Sequence, residues 1–167
     1  DEGYIDLSGT QRLHAHLPAA LLATLARDIE RDLGITISIG LAENRFLAKM
    51  ASEMDKPRGF AVLSKADAKS ILGPMPVTAI HGVGPAFAKR LSRDGLHLIG
   101  DVQARGRADM MRQYGEGGQH LWDRANGIDH RRVSPGRERK SVSAERTFNT
   151  DISDPTVLED RLWAVCE

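Results

Sequence analysis

The strongest constraint on this chain is a change of hydrophobic rhythm at Leu63. Up to that point strand-like and helix-like stretches alternate. "GYIDL" alternates apolar and polar side chains as a half-buried strand does, and "HLPAALLATLARDIERDLG" follows with the period of a helix. Pro18 suits the first turn, Leu21, Leu22, Leu25, Ile29 and Leu33 share one face, and Gly34 is a stop. "ITISIG" then puts Ile35, Ile37 and Ile39 on one side of a second strand and Thr36 and Ser38 on the other. Asn44 is placed to cap "RFLAKMASEM", whose Phe46, Leu47, Met50, Ala51 and Met54 make an apolar stripe, and Pro57 ends it. "GFAVL" supplies a third strand. The spacing predicts strands near 3–8, 35–40 and 59–63 in one sheet, with helices near 18–33 and 44–54 packed on it, an α+β or α/β arrangement.

After Leu63 glycines cut the chain into short helices: "SKADAKSILG", "PVTAIHG", "PAFAKRLSRDG", "LIGDVQARG", "RADMMRQYG" and "QHLWDRANG". Residues 64–130 thus read as a small all-α unit. Residues 131–140, "RRVSPGRERK", are too broken by Pro and Gly for a helix and read as a linker. Residues 141–167 read as a strand, "SVSAERTF", and a helix, "PTVLEDRLWAVCE", the truncated start of a further domain.

Bulk charge excludes little, because 23 Lys and Arg balance 23 Asp and Glu. Any nucleic-acid contact must come from local patches. The 131–140 stretch is one, with Arg131, Arg132, Arg137, Arg139 and Lys140 against Glu138 alone. A single cysteine, Cys166, excludes an internal disulfide framework and fits a reducing compartment. With no apolar run long enough to span a bilayer and no signal-peptide pattern, a cytoplasmic protein is expected. The absent initiator Met suggests a piece of something longer.

Three constellations bear chemistry. In "IHGVGPAFAKRLSRDGL", Gly82, Val83 and Gly84 permit a tight hairpin between helices, with backbone N–H groups and the positive end of the next helix pointing outward. Such a nest grips a phosphate without reading sequence, and Lys89, Arg90 and Arg93 stand close by. The plain alternative is a tight turn and nothing more. Lys56, just past a helix and before Pro57, can project over a cleft, although a lysine there is usually only solvated. Asp1 and Glu2 would face opposite sides of a regular strand, so a shared metal site requires the bend that Gly3 permits. Paired carboxylates at such a bend suit Mg²⁺; the alternative is an exposed acidic terminus.

Taken in order, these stretches resemble the Y-family DNA polymerases, the translesion enzymes, most closely their bacterial DNA polymerase IV branch. "DEGYIDLSGT" is similar to the family's palm motif, "SIGLAENRFLAKMASEMDKPRGF" to its Asn-Lys and Lys-Pro-x-Gly stretch, and "IHGVGPAFAKRLSRDGLHLIGDV" to the thumb's helix-hairpin-helix. "RANGIDHRRVSPGRERKSVSAERTF" resembles the thumb end, linker and first little-finger strand. The resemblance implies part of a palm at 1–63, a thumb at 64–130, a basic linker at 131–140 and the start of a little finger at 141–167.

It also implies that Asp1 and Glu2 are two of three metal-binding carboxylates and that Lys56 contacts the incoming triphosphate. Gly82, Val83, Gly84, Lys89, Arg90, Arg137, Arg139 and Lys140 would hold the DNA backbone. The implied partners are primer-template DNA, deoxynucleoside triphosphates and, through a segment beyond residue 167, a sliding clamp. The intact protein would join nucleotides by a two-metal mechanism with Mg²⁺, copying across damaged DNA. The third carboxylate, the steric gate and the fingers are expected upstream of residue 1, so the chain alone is expected to be inactive. Gly3 stands where the family has Ala and Arg45 where it has Lys, and the resemblance gives Arg45 no catalytic role. Two other readings remain: a polymerase-like adaptor without activity, which would lose the acids, and a stand-alone helix-hairpin-helix module.

Overall fold

In a computed structural model, residues 2–135 and 143–166 are described. The first long element is α2 (Pro18–Leu33), which follows a single turn of helix, α1 (Gln11–His14). Pro18 takes the first turn, and Gly34 closes α2 at φ 69° with its N–H on the Glu30 carbonyl. β1 (Ile39–Ala42), α3 (Arg45–Met54) and β2 (Phe60–Leu63) follow as a strand-helix-strand unit. The two strands pair in parallel, Ile39 opposite Phe60 and Ala42 opposite Leu63. α3 lies so close on the sheet that a Cβ on Gly40 would stand 2.0 Å from the Ala48 carbonyl oxygen. Only glycine fits there.

The expectation of three strands is corrected here. Residues 3–8 form no strand and Tyr4 and Ile5 are exposed, because among the described residues no neighbour offers them a ladder of hydrogen bonds. The second strand begins at Ile39 rather than near Ile35, which is 55% exposed. Register follows the partner: Ile39 donates to the Gly59 carbonyl, and pairing runs only as far as β2 does. α2 matches the predicted helix, but along its apolar stripe Leu22 is buried while Leu33 is exposed.

The α3 stripe is buried as expected at Phe46, Leu47, Met50 and Ala51. Those side chains run into the helices that follow: α4 (Lys65–Leu72), a 3₁₀ turn (Val77–Ala79), α5 (Pro85–Arg93), α6 (Ile99–Ala104) and α7 (Arg107–Ala125). One apolar cluster joins Leu47, Leu63, Leu72, Ile80, Leu91, Ile99, Val102, Met110 and Leu121. α7 is two helical pieces meeting at Gly115, whose φ of 66° and ψ of −151° break the spiral.

The described chain divides into two units, 1–133 and 134–167. In the second, α8 (Pro155–Cys166) forms as predicted, and Leu162 and Trp163 are exposed on it. Residues 143–148 of the expected strand are not paired with anything described. The fold class stands as read, an α+β or α/β arrangement followed by an all-α part; the structure adds that it is helix-rich and that the sheet is two-stranded and parallel.

Candidate active-site cleft and nucleic-acid interface

A cleft of about 1300 Å³ opens beside α3, and its walls include Glu2, Tyr4, Arg45, Lys49, Lys56 and Arg132. The helix that forms its floor is pinned at its N-terminus. Asn44 accepts from the Leu47 N–H at 2.9 Å as an N-cap, and its amide donates to the Gly127 carbonyl at 2.9 Å. Asp129 accepts a second first-turn donor, the Phe46 N–H, at 3.1 Å. Burial alone would raise the Asp129 pKa, but the Arg131 side chain and backbone N–H, both bonded to its carboxylate, carry it below the ordinary value.

Within the cleft, charged side chains form a row. Lys49 binds Glu2 on one side and, at 2.5 Å, Glu53 on the other, and Glu53 also accepts from Lys56 at 2.8 Å. The Lys49 hydrogen bond is the main reason that Glu2 and Glu53 are both held below the usual carboxylate range, and the same two bonds raise Lys49. Glu2 and Lys56, distant in sequence, are thereby linked through two intervening side chains. Asp1 lies outside the described residues.

The donor set decides whether a divalent cation suits these residues. Among the described residues no three His, Cys, Asp or Glu side chains gather into a metal-holding group. Glu2 offers an ionised oxygen donor of the right hardness, yet its cation is Lys49. The described residues do not by themselves make a metal site.

Arg45 was the cleft residue that sequence left without a role. Its guanidinium carbon stacks 4.6 Å from the Tyr4 ring centre, and Nη1 donates to the Arg132 carbonyl at 3.3 Å. Its Nε is buried without a partner among the described residues. No sequence signal marked that stacking, since it depends on the path of residues 2–8.

The hairpin is the second site. Ile80 closes the 3₁₀ turn, Gly82 takes φ 100°, and Gly84 in extended conformation caps α5 with Pro85 behind it. The Val83 N–H is used inside the turn, on the Ile80 carbonyl at 3.0 Å, so it is not an outward donor as the sequence suggested. The first turn of α5 has no side-chain cap, which leaves its opening N–H groups to an outside acceptor. A Cβ on Gly84 would meet nothing within 4 Å, so the approach is open.

The basic residues are not equivalent. Lys89 is exposed. Arg90 is committed: its Nη2 donates to the Gln113 carbonyl at 2.5 Å and its guanidinium lies 4.8 Å over the Tyr114 ring. Tyr114 in turn meets Phe87 edge to face at 5.8 Å and donates to Asp94 at 2.5 Å. Arg131 is likewise held on Asp129, while Arg132 is exposed. Arg137, Arg139 and Lys140 lie outside the described residues. The structure brings Glu2 and Lys56 to one cleft and Gly82, Val83 and Gly84 to one turn, and it removes Arg90 from the free cations.

Residues 1–53 match the impB/mucB/samB family. Over all 167 residues the chain is 49% identical to DNA polymerase IV of Caulobacter vibrioides and 50% identical to DNA polymerase IV 1 of Mesorhizobium japonicum. It covers 41% and 38% of those proteins, so it spans about two fifths of the length of the curated relatives it matches. Among solved structures, DinB from Sulfolobus solfataricus superposes with a TM-score of 0.59 at 22% identity, over 71% of this chain and 36% of that one, a likeness of fold. The resemblance to the Y-family DNA polymerases therefore holds along the entire chain. Its relatives carry the name of an enzyme, DNA polymerase IV.

Proposed function

We propose that the chain belongs to a template-directed DNA polymerase of the translesion class, and that residues 1–63 contribute to its palm, 64–130 form its thumb and 141–167 begin its little finger. One observation carries the reading: Glu2 and Lys56 meet on the wall of a single cleft through Lys49 and Glu53. A carboxylate and a lysine so arranged suit the two ends of a nucleotide, the reacting phosphate and the charge that leaves with it. Mg²⁺ would be held by Asp1 and Glu2 with further oxygens, and would act as a Lewis acid once Lys49 is displaced. Lys56 would offset charge on the triphosphate. Gly82, Val83, Gly84 and Lys89, with Arg137, Arg139 and Lys140, would hold duplex phosphates without regard to sequence.

The compartment is read as the cytoplasm, and a sliding clamp is a partner of the full-length protein. Among the described residues no helix is long and apolar enough to cross a membrane. A catalytically inactive adaptor with this fold is the competing reading, and the acids argue against it.

The 167 residues alone should bind primer-template DNA and extend it not at all, since Asp1 and Glu2 are two of the three carboxylates that the two-metal reading requires. Single-nucleotide extension with Mg²⁺, run beside a binding series in salt, tests both parts. In the full-length polymerase, Lys56→Ala should raise KM for the nucleotide. Extension by the 167-residue chain that disappears in the Glu2→Ala variant would overturn the inactivity, and an unaltered KM would remove Lys56 from the site.

A further inference from the structure

The hairpin turn is braced from a helix distant in sequence. Arg124, in the last turn of α7, donates from Nη1 to the His81 carbonyl at 2.6 Å, and the same nitrogen lies 3.0 Å from where a Cβ on Gly82 would stand. Three arginines of this region are matched to acids, Arg107 to Asp123, Arg112 to Asp109 and Arg131 to Asp129; Arg93 and Arg105 are not, but neither lines the pocket beside the turn. Among the described residues Arg124 has no carboxylate at ion-pair distance, and Arg90, one of the two α5 arginines that sequence set near the phosphate, is turned onto Tyr114 and Gln113.

Arg124 also lines, with Gly82, Val83, Phe87 and His120, a pocket of about 230 Å³ beside the turn. A guanidinium with one nitrogen committed to a carbonyl keeps donors on its other nitrogens, and its unmatched charge favours an anion over a neutral acceptor.

We propose that Arg124 supplies the charged contact of the hairpin site, receiving a phosphodiester oxygen of duplex DNA while its Nη1 holds the His81 carbonyl in place. The proposal rests on the hairpin reading above and adds to it a residue from outside the motif. Bracing and charge separate in the salt dependence, because only a phosphate contact sets the slope. Gln removes the charge and, two bonds shorter, also lets go of the His81 carbonyl, whereas Lys keeps the charge without the planar fork.

Fluorescence anisotropy of a labelled duplex should be followed from low to moderate salt with the 167-residue chain and its Arg124→Gln, Arg124→Lys and Gly82→Val variants. Circular dichroism confirms that each is folded. Arg124→Gln should weaken binding roughly tenfold at low salt and flatten the plot of log affinity against log salt by about 0.9, the loss of one phosphate contact. Arg124→Lys should keep the wild-type slope. A folded Arg124→Gln variant with the wild-type slope would make Arg124 a brace only and overturn the proposal, even if affinity fell. If Arg124→Gln does not fold, Arg124→Met takes its place: a slope flattened by about 0.9 is expected and a wild-type slope overturns the proposal. Wild-type chain that binds no duplex, or Gly82→Val that binds as wild type, would instead overturn the hairpin reading itself.

Discussion

Residues 2–38 and residues 44–127 hold their functional side chains by different means. In the first stretch Leu22 is the buried apolar side chain among the described residues, and Ile5, Leu13, Leu17, Leu33 and Ile35 are all exposed. In the second, Leu47, Leu72, Leu91, Ile99 and Val102 are fully buried in one cluster. Glu2 is therefore placed by a salt link to Lys49, whereas the Gly82 turn is placed by packed helices on either side of it. Ion pairs exposed to water contribute little and weaken in salt; a packed core does neither. The contrast predicts that the hairpin site is preformed and that Glu2 is adjustable.

The largest expected effect tests the packing side directly. Leu91→Ala should cost about 2–5 kcal/mol in urea unfolding, and Leu33→Ala, at a 67% exposed position, no more than about 0.5 kcal/mol. Equal costs would abolish the distinction. Gly82→Val comes next, at roughly 1–3 kcal/mol, because a β-branched residue must be forced to positive φ, and duplex binding should weaken in the chain that remains folded. Asn44→Ala should cost about 1–2 kcal/mol by removing the cap of α3, together with the bond that ties it to Gly127.

A smaller effect is confined to alkaline pH. Burial, then the hydrogen bond to Asp94, push Tyr114 up from 10.0 to about 12. Because the folded state holds that proton more tightly than the unfolded chain, the stabilisation is complete below pH 10 and is lost as pH rises to about 12. Chemical unfolding across that window should show a decline that Tyr114→Phe reduces; an identical decline in the variant would assign it elsewhere. The smallest effect is expected at Glu2, where Glu2→Gln should leave the thermal midpoint unchanged. A clear fall in midpoint would mean that the link to Lys49 organises residues 2–8 after all.

Much of this was legible in the chain. The α3 stripe, the Asn44 cap, the Pro18 and Gly34 ends of α2 and the Gly82 turn each follow from a local rule of period, capping or backbone freedom, so neighbours in sequence were enough to find them. Strand 3–8 was misread because alternation marks a strand's faces and says nothing about whether a partner exists to bond it. The setting of Arg90 was not legible, because its charge is visible in sequence while the ring of Tyr114 and the Gln113 carbonyl that hold it lie on another helix.

Sequence by itself determined where helices start and stop, which face of α3 is apolar, and that a Gly-Val-Gly turn precedes a basic helix, since each depends on contacts within a few residues. Tertiary structure alone decided which cations remain free. Arg107, Arg112 and Arg131 are matched to carboxylates, Arg90 to a ring and a carbonyl, and Arg124 stands beside Gly82 with its charge unmatched among the described residues. Charge is written in the sequence, but its neutralisation is a matter of a few ångströms between side chains that only packing brings together.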